Sequence, residues 1–118
     1  MSAVASSFSD RLNKGMDAAL RAIAEPRRRA ILRLVRDEER LAGDIAEAFP
    51  DVTHSAISQH LKVLREAGLV EERREGVRRF YRLRPEGLQE VRAFLADFWD
   101  DSLTRLKAAA EAFAREQR

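Results

Sequence analysis

Apolar positions along the chain recur first at Phe8, Leu12, Met16, Ala19, Leu20 and Ile23, three or four residues apart. That period predicts a helix over residues 8–24, with the small, polar residues 1–7 fraying before it. The sequence Ala24-Glu25-Pro26 breaks the helix. Proline pushes the residue before it out of helical geometry and itself opens a new helix well. The second helix runs over 26–36, with Ile31, Leu32, Leu34 and Val35 as its buried side. A charged connection, 37–40, leads to a short third helix over 42–49 that buries Ile45, Ala46 and Phe49, and Pro50-Asp51-Val52 turns the chain.

The next stretch, THSAISQHLKVLREAGL at 53–69, divides cleanly into two faces. At ~100° per residue, His54, Ser55, Ser58, Gln59, Lys62, Arg65 and Glu66 share one arc, and Ile57, Leu61 and Leu64 lie opposite. Thr53 suits the N-cap and Gly68 the left-handed residue that ends a helix. Helices 42–49 and 54–67, joined by a tight turn, have the helix-turn-helix arrangement. Residues 69–74 and 77–83 then read as two strands joined at Glu75-Gly76. In the second, Val77, Arg79, Tyr81 and Leu83 alternate with Arg78, Phe80 and Arg82, and alternation alone leaves open whether Phe80 or Tyr81 faces the core. A last helix covers 85–116. Its apolar stripe runs Leu88, Val91, Leu95, Phe98 at 3-4-3 spacing, then Trp99, Leu103, Leu106, Ala110, Phe113 at 4-3-4-3. That stripe, like that of the first helix, exceeds what a domain this small can cover, so the terminal helices predict a homodimer.

Composition narrows the class. The chain has 118 residues, 45% of them apolar and 36% charged, which fits one globular domain. No apolar run approaches the ~20 residues of a membrane span, and the N-terminus lacks the basic start and apolar core of a secretory signal. A cytoplasmic location is the default. Without cysteine, disulfides, thiolate metal sites and thiol redox sensing are excluded. The net charge of +2 is unevenly spread: residues 53–84 hold eight Lys/Arg against four Asp/Glu, whereas 1–52 balance and 85–118 are net negative. The positive excess lies where a polyanion would be met.

The order of elements is that of a winged helix-turn-helix regulator. The wording ALRAIAEPRRRAILRLV at 19–35, SAISQHLKVLREAGLVEERREGVRRFYRL at 55–83 and LADFWDDSLTRLK at 95–107 resembles the ArsR-like family of bacterial transcriptional repressors, over about residues 12–107. The resemblance implies a mainly α fold with a β-hairpin wing (69–83), a recognition helix within the 42–67 helix-turn-helix, and dimerisation through helices 8–24 and 85–116. The sequence departs from the metal-sensing members, which carry a cysteine pair in the helix before recognition; here Leu41 and Gly43 stand there. The last helix has none of the histidine ligands other members place on it, and His54 and His60, six residues apart, do not share a helical face. No metal or other cofactor is expected, and a small-molecule effector is left open and unidentified.

These patterns assign expected roles. His54, Ser55, Ser58 and Gln59 are the candidates for base edges, because short hydrogen-bonding side chains fit the major groove and Gln can pair two ways with adenine. Thr53, Lys62, Arg65 and the hairpin arginines Arg73, Arg74, Arg78 and Arg79 are the candidates for the phosphate backbone. An ordinary amphipathic helix and an edge protected by arginines are the bland alternatives. His60 falls on the inward flank, which favours packing over base reading. Arg27, Arg28 and Arg29 read as a solvated face, since cations at a helix N-terminus gain nothing from the dipole. Leu12, Met16, Leu95, Phe98, Trp99, Leu103 and Leu106 are the expected dimer interface; Phe94, Phe98 and Trp99 lining a ligand pocket is the other reading. With no nucleophile-base pairing and no phosphate-binding glycine loop, an enzyme is not expected. The competing function is a winged helix used for protein contact or for DNA binding without sequence choice.

Overall fold

The computed structural model describes residues 3–117, and the side chains of 14–99 and 103–117. Five helices and three strands follow one another: α1 (Ala3–Ala24), α2 (Pro26–Leu34), β1 (Arg40–Leu41), α3 (Ala42–Glu47), α4 (His54–Glu66), β2 (Val70–Glu75), β3 (Arg78–Leu83), a 3-10 turn at Pro85–Leu88 and α5 (Gln89–Glu116). The break between α1 and α2 lies where proline predicts it. Glu25 is the N-cap, its carboxylate accepting from the Arg28 N–H at 2.9 Å, and Pro26 opens α2. Helix α1 starts at Ala3 rather than residue 8, and α2 ends at Leu34.

The sheet is antiparallel in the order β1-β3-β2. Strand β1 was not legible in the sequence. It is only two residues long, pairing Arg40 with Tyr81 and Leu41 with Phe80, within the stretch that reads as a connection running into the third helix. The β2–β3 pairing sets Glu75 against Arg78, so the turn residues are Gly76 and Val77, one position later than expected. Gly76 has φ +62 and no other residue of the turn has positive φ. This is the pattern of a type II′ turn, which puts glycine first and matches the twist of the paired strands.

One core draws on every helix. Ala19 and Ala22 come from α1, Ile31 and Val35 from α2 and its end, Ile45 and Ala46 from α3, Ile57, Leu61 and Leu64 from α4, and Leu69, Val70, Tyr81 and Val91 from the hairpin and α5. The open choice in β3 is resolved: Tyr81 is 5% exposed and faces the core. Phe80 is half-buried on the other side of the sheet, with the Arg73 guanidinium 4.3 Å from its ring centre. The molecule is nevertheless far from spherical. Its Cα radius of gyration is 19.7 Å, against about 13 Å for a compact domain of ~100 residues, because α5 extends well past the core it starts on.

Candidate nucleic-acid interface

The α4 helix is fixed at both ends and along one face. The Thr53 hydroxyl accepts from the Ala56 N–H at 3.0 Å, as an N-cap does. At the other end the Gly68 N–H reaches the Arg65 carbonyl and the Leu69 N–H reaches the Leu64 carbonyl, both at 3.0 Å, with Gly68 at φ +76. These two bonds are the Schellman motif, closed by the buried pair Leu64 and Leu69. With Ile57, Leu61 and Leu64 buried, His54, Ser55, Ser58, Gln59, Lys62, Arg65 and Glu66 are all exposed, as the wheel predicts.

That exposed face looks across a cleft of about 290 Å³ to the hairpin. Ser55, Ser58, Gln59, Lys62 and Arg65 line one wall, and Arg79 and Tyr81 of β3 line the other. His54 and Ser58 line a neighbouring hollow, again with Arg79. Arg79 therefore stands beside the row of polar side chains on α4. Among the described residues, Lys62, Arg78 and Arg79 make no ion pair.

The other arginines of this face are engaged within the molecule. Glu72 Oε1 accepts from Arg74 Nε at 2.6 Å, and Oε2 is ion-paired with Arg65 and accepts from the Tyr81 hydroxyl at 3.2 Å. The bond from Arg74, helped by Arg65, holds the Glu72 carboxyl below the usual glutamate range. Burial, reinforced by that carboxylate, pushes the Tyr81 phenol up. Arg73 pairs with Glu39 at 2.6 Å and Glu75 at 3.0 Å while stacking on Phe80. In the sequence Arg73, Arg74, Arg78 and Arg79 stand together around the tip; the structure separates them into two that are ion-paired and two that, among the described residues, are not. Glu72 is not among the residues expected at this site. Alternation in β2 puts Glu72 on the side of buried Val70, but its place opposite Tyr81 follows from a turn one position later than the expected one.

The run Arg27, Arg28, Arg29 is only in part a solvated face: Arg29 is exposed, Arg27 and Arg28 are half-buried, and all three are bonded within the molecule. Arg28 Nε donates to the Ala22 carbonyl at 2.7 Å and Nη2 to the Arg21 carbonyl at 3.2 Å; Arg29 Nη1 donates to Ile23 and Ala24 carbonyls at 2.7 and 3.1 Å. These side chains start at the N-terminus of α2 but reach back to the C-terminus of α1, where the dipole does favour cations. Arg27 pairs with Asp51 and lies 5.2 Å from the Phe49 ring centre, tying α2 to the turn before α4. His60 is half-buried, with Arg28 Nη1 directed at its Nδ1 at 3.4 Å, in keeping with its inward wheel position.

On α5 the stripe emerges from the core. Val91 is buried, but Leu95, Phe98, Trp99, Leu103 and Leu106 are exposed, the last at 66%. Phe94 and Phe98 meet edge to face at 5.1 Å. Met16 is half-buried against the core, and the Leu12 side chain lies outside the described residues.

A family profile described as "Helix-turn-helix domain" matches residues 23–73. The HTH-type transcriptional regulator Rv2034 of Mycobacterium tuberculosis is 43% identical over 88 residues, 75% of this chain and 81% of that protein. The chain belongs to the ArsR-like family of winged helix-turn-helix transcriptional regulators. The transcriptional repressor SdpR of Bacillus subtilis is 35% identical over 83 residues, 70% of this chain and 91% of that one. Among solved structures, the homodimeric winged helix-turn-helix DNA-binding domain Mb0332 of Mycobacterium bovis is similar at a TM-score of 0.63 and 31% identity, covering 86% of this chain and 89% of that one.

This is a family of regulators and not of enzymes. Leu41 lies in β1 and Gly43 is exposed on α3; these are the two positions that the resemblance sets against the cysteine pair of metal-sensing members. Among the described residues no three His, Asp or Glu side chains come together as a metal site would need, and no helix is long and apolar enough to cross a membrane.

Proposed function

We propose that this chain is a sequence-specific, double-stranded-DNA-binding repressor that acts as a homodimer in the cytoplasm, each protomer one winged-helix domain. The observation that carries this reading is the exposed row Ser55, Ser58, Gln59 and Lys62 facing, across one cleft, the free guanidinium of Arg79. Short polar side chains on a helix held at both ends suit base edges in a major groove. A cationic strand beside them suits the flanking phosphates. In this reading His54, Ser55, Ser58 and Gln59 touch bases, and Thr53, Lys62, Arg65, Arg73, Arg74, Arg78 and Arg79 lie toward the backbone. Arg78 and Arg79 are the readiest of these, because among the described residues they have no carboxylate partner to leave.

Dimerisation through α1 and α5 is supported by the exposed stripe from Leu95 to Leu106 and by the extended shape of the single chain. It is also supported by the homodimeric state of the Mycobacterium bovis relative. Two recognition helices related by a two-fold axis would enter successive major grooves of an inverted repeat, about one helical turn apart. Occupying a promoter in this way blocks polymerase, and the repressor name of the Bacillus relative supports that sign of regulation.

The test is binding to labelled duplex taken from immediately upstream of this gene and to a scrambled duplex, over a salt series with chelator present. A preference of about a thousandfold or more, with a steep salt slope, is expected. Equal, weak binding to this duplex, and to promoter fragments chosen genome-wide, would instead favour a winged helix used for protein contact or non-selective DNA binding.

A further inference from the structure

Glu72 is the least exposed of the ion-paired carboxylates among the described residues, its side chain 8% exposed beside arginines at 43% (Arg65) and 67% (Arg74). It sits between the recognition helix and the hairpin. One oxygen engages Arg74 Nε and the other Arg65 Nη1, while the hydroxyl of Tyr81, a residue of the core, also donates to the second oxygen. Each guanidinium meets Glu72 through a single nitrogen, leaving donors of a five-donor group for another anion. The trio carries one positive charge instead of two.

We propose that Glu72 is a specificity-determining residue: it holds Arg65 of α4 and Arg74 of β2 at one spacing and cancels part of their charge, restraining binding to DNA of arbitrary sequence. The inference rests on the DNA-binding reading above. Non-specific affinity comes almost entirely from cations meeting phosphates, so an internal anion competing for two of those cations weakens it directly. A seated complex also gains from base edges and profits from arginines already at a fixed separation. Glu72 therefore widens the gap between the two kinds of binding.

The probes are a duplex selected from a random pool by the parent protein and a scrambled duplex of equal length. Glu72→Gln keeps the shape and removes the charge. It should bind scrambled DNA about fivefold more tightly at low salt, with a salt slope steeper by about 0.9, and gain less on the selected duplex, so that the ratio falls. Glu72→Asp should keep the parent's affinity and slope on scrambled DNA. Unchanged scrambled binding by a folded Glu72→Gln protein, or an equal gain on both duplexes, overturns the proposal. Should Glu72→Gln not fold, Glu72→Thr, which removes the charge with a residue that suits a strand, is read in the same way, and unchanged scrambled binding by that folded variant overturns the proposal. If the parent selects no duplex and binds none, the DNA-binding reading itself fails.

Discussion

Gly87 packs directly onto the backbone of Gly68: a Cβ added to Gly87 would lie 2.1 Å from the Gly68 carbonyl oxygen and 2.8 Å from its carbon. The contact seats the turn into α5 on the end of α4, where the Arg84 N–H also donates to the Leu69 carbonyl at 2.8 Å. No side chain can yield there, because both partners are backbone. Gly87→Ala should therefore cost about 1–3 kcal/mol or more of stability, read as a lower midpoint in urea. Gly43→Ala is the counterpart: its Cβ meets nothing within 4 Å, and helix propensity favours alanine by up to about 1 kcal/mol. Equal effects of the two would show that the Gly87 contact is not tight in solution.

How legible this was depends on whether the determinant is local. The ends of α4 were readable because Thr53 and Gly68 act within their own turn, and its buried face because Ile57, Leu61 and Leu64 follow the helical period. Strand β1 was invisible, since two residues carry no period and Arg40 and Leu41 become a strand only by pairing with Tyr81 and Phe80. The arginines at 27–29 differ from expectation for a related reason: the dipole argument applies to the helix they leave, and a long guanidinium ends at the C-terminus of the helix before it. Glu72 and Gly87 matter through partners distant in sequence, which composition cannot supply.

Ser58→Ala combined with Gln59→Ala removes hydrogen-bonding groups from the cleft wall without touching the core, both residues being exposed. If they read bases, preference for the target duplex should fall by about 1–3 kcal/mol for each base pairing removed, with scrambled-DNA binding nearly unchanged. An equal loss on both duplexes would remove these residues from base recognition.

The hairpin arginines should separate by function. Arg78→Ala with Arg79→Ala should weaken binding to all sequences and flatten the salt slope by about 0.9 for each phosphate left without its cation. Arg73→Ala instead removes the pairs with Glu39 and Glu75 and the stack on Phe80. Its expected signature is a lower thermal midpoint with a smaller change in slope. A slope change for Arg73→Ala as large as for Arg79→Ala alone would mean that Arg73 leaves Glu39 and Glu75 for a phosphate when DNA binds.

Glu72 also predicts a pH dependence. Its folded pKa is depressed, chiefly by Arg74, below its unfolded value, which is about 4.3. A depressed carboxyl contributes stability that is fully present above the unfolded pKa and is lost as pH falls through the folded one. The parent's thermal midpoint should therefore drop as pH is lowered below ~4.3, and Glu72→Gln should drop less over the same window. Parallel curves for parent and variant would mean that the pairs with Arg65 and Arg74 do not persist in solution.

The apolar stripe of α5 makes the last prediction. Leu103 and Leu106 are 60% and 66% exposed on one chain, continuing the line of Leu95, Phe98 and Trp99. A stripe of this length left in water favours association, and burying a charge in it without a partner costs several kcal/mol. Light scattering at micromolar concentration should give twice the chain mass for the parent. Leu103→Glu with Leu106→Glu should give the single-chain mass, with helix content largely kept because neither side chain belongs to the core. The same double variant should lose most of its affinity for an inverted repeat but little for a single half-site, since only the repeat needs two linked recognition helices. A parent that is already monomeric would sink the dimer, and a double variant that stays dimeric would move the interface off this stripe.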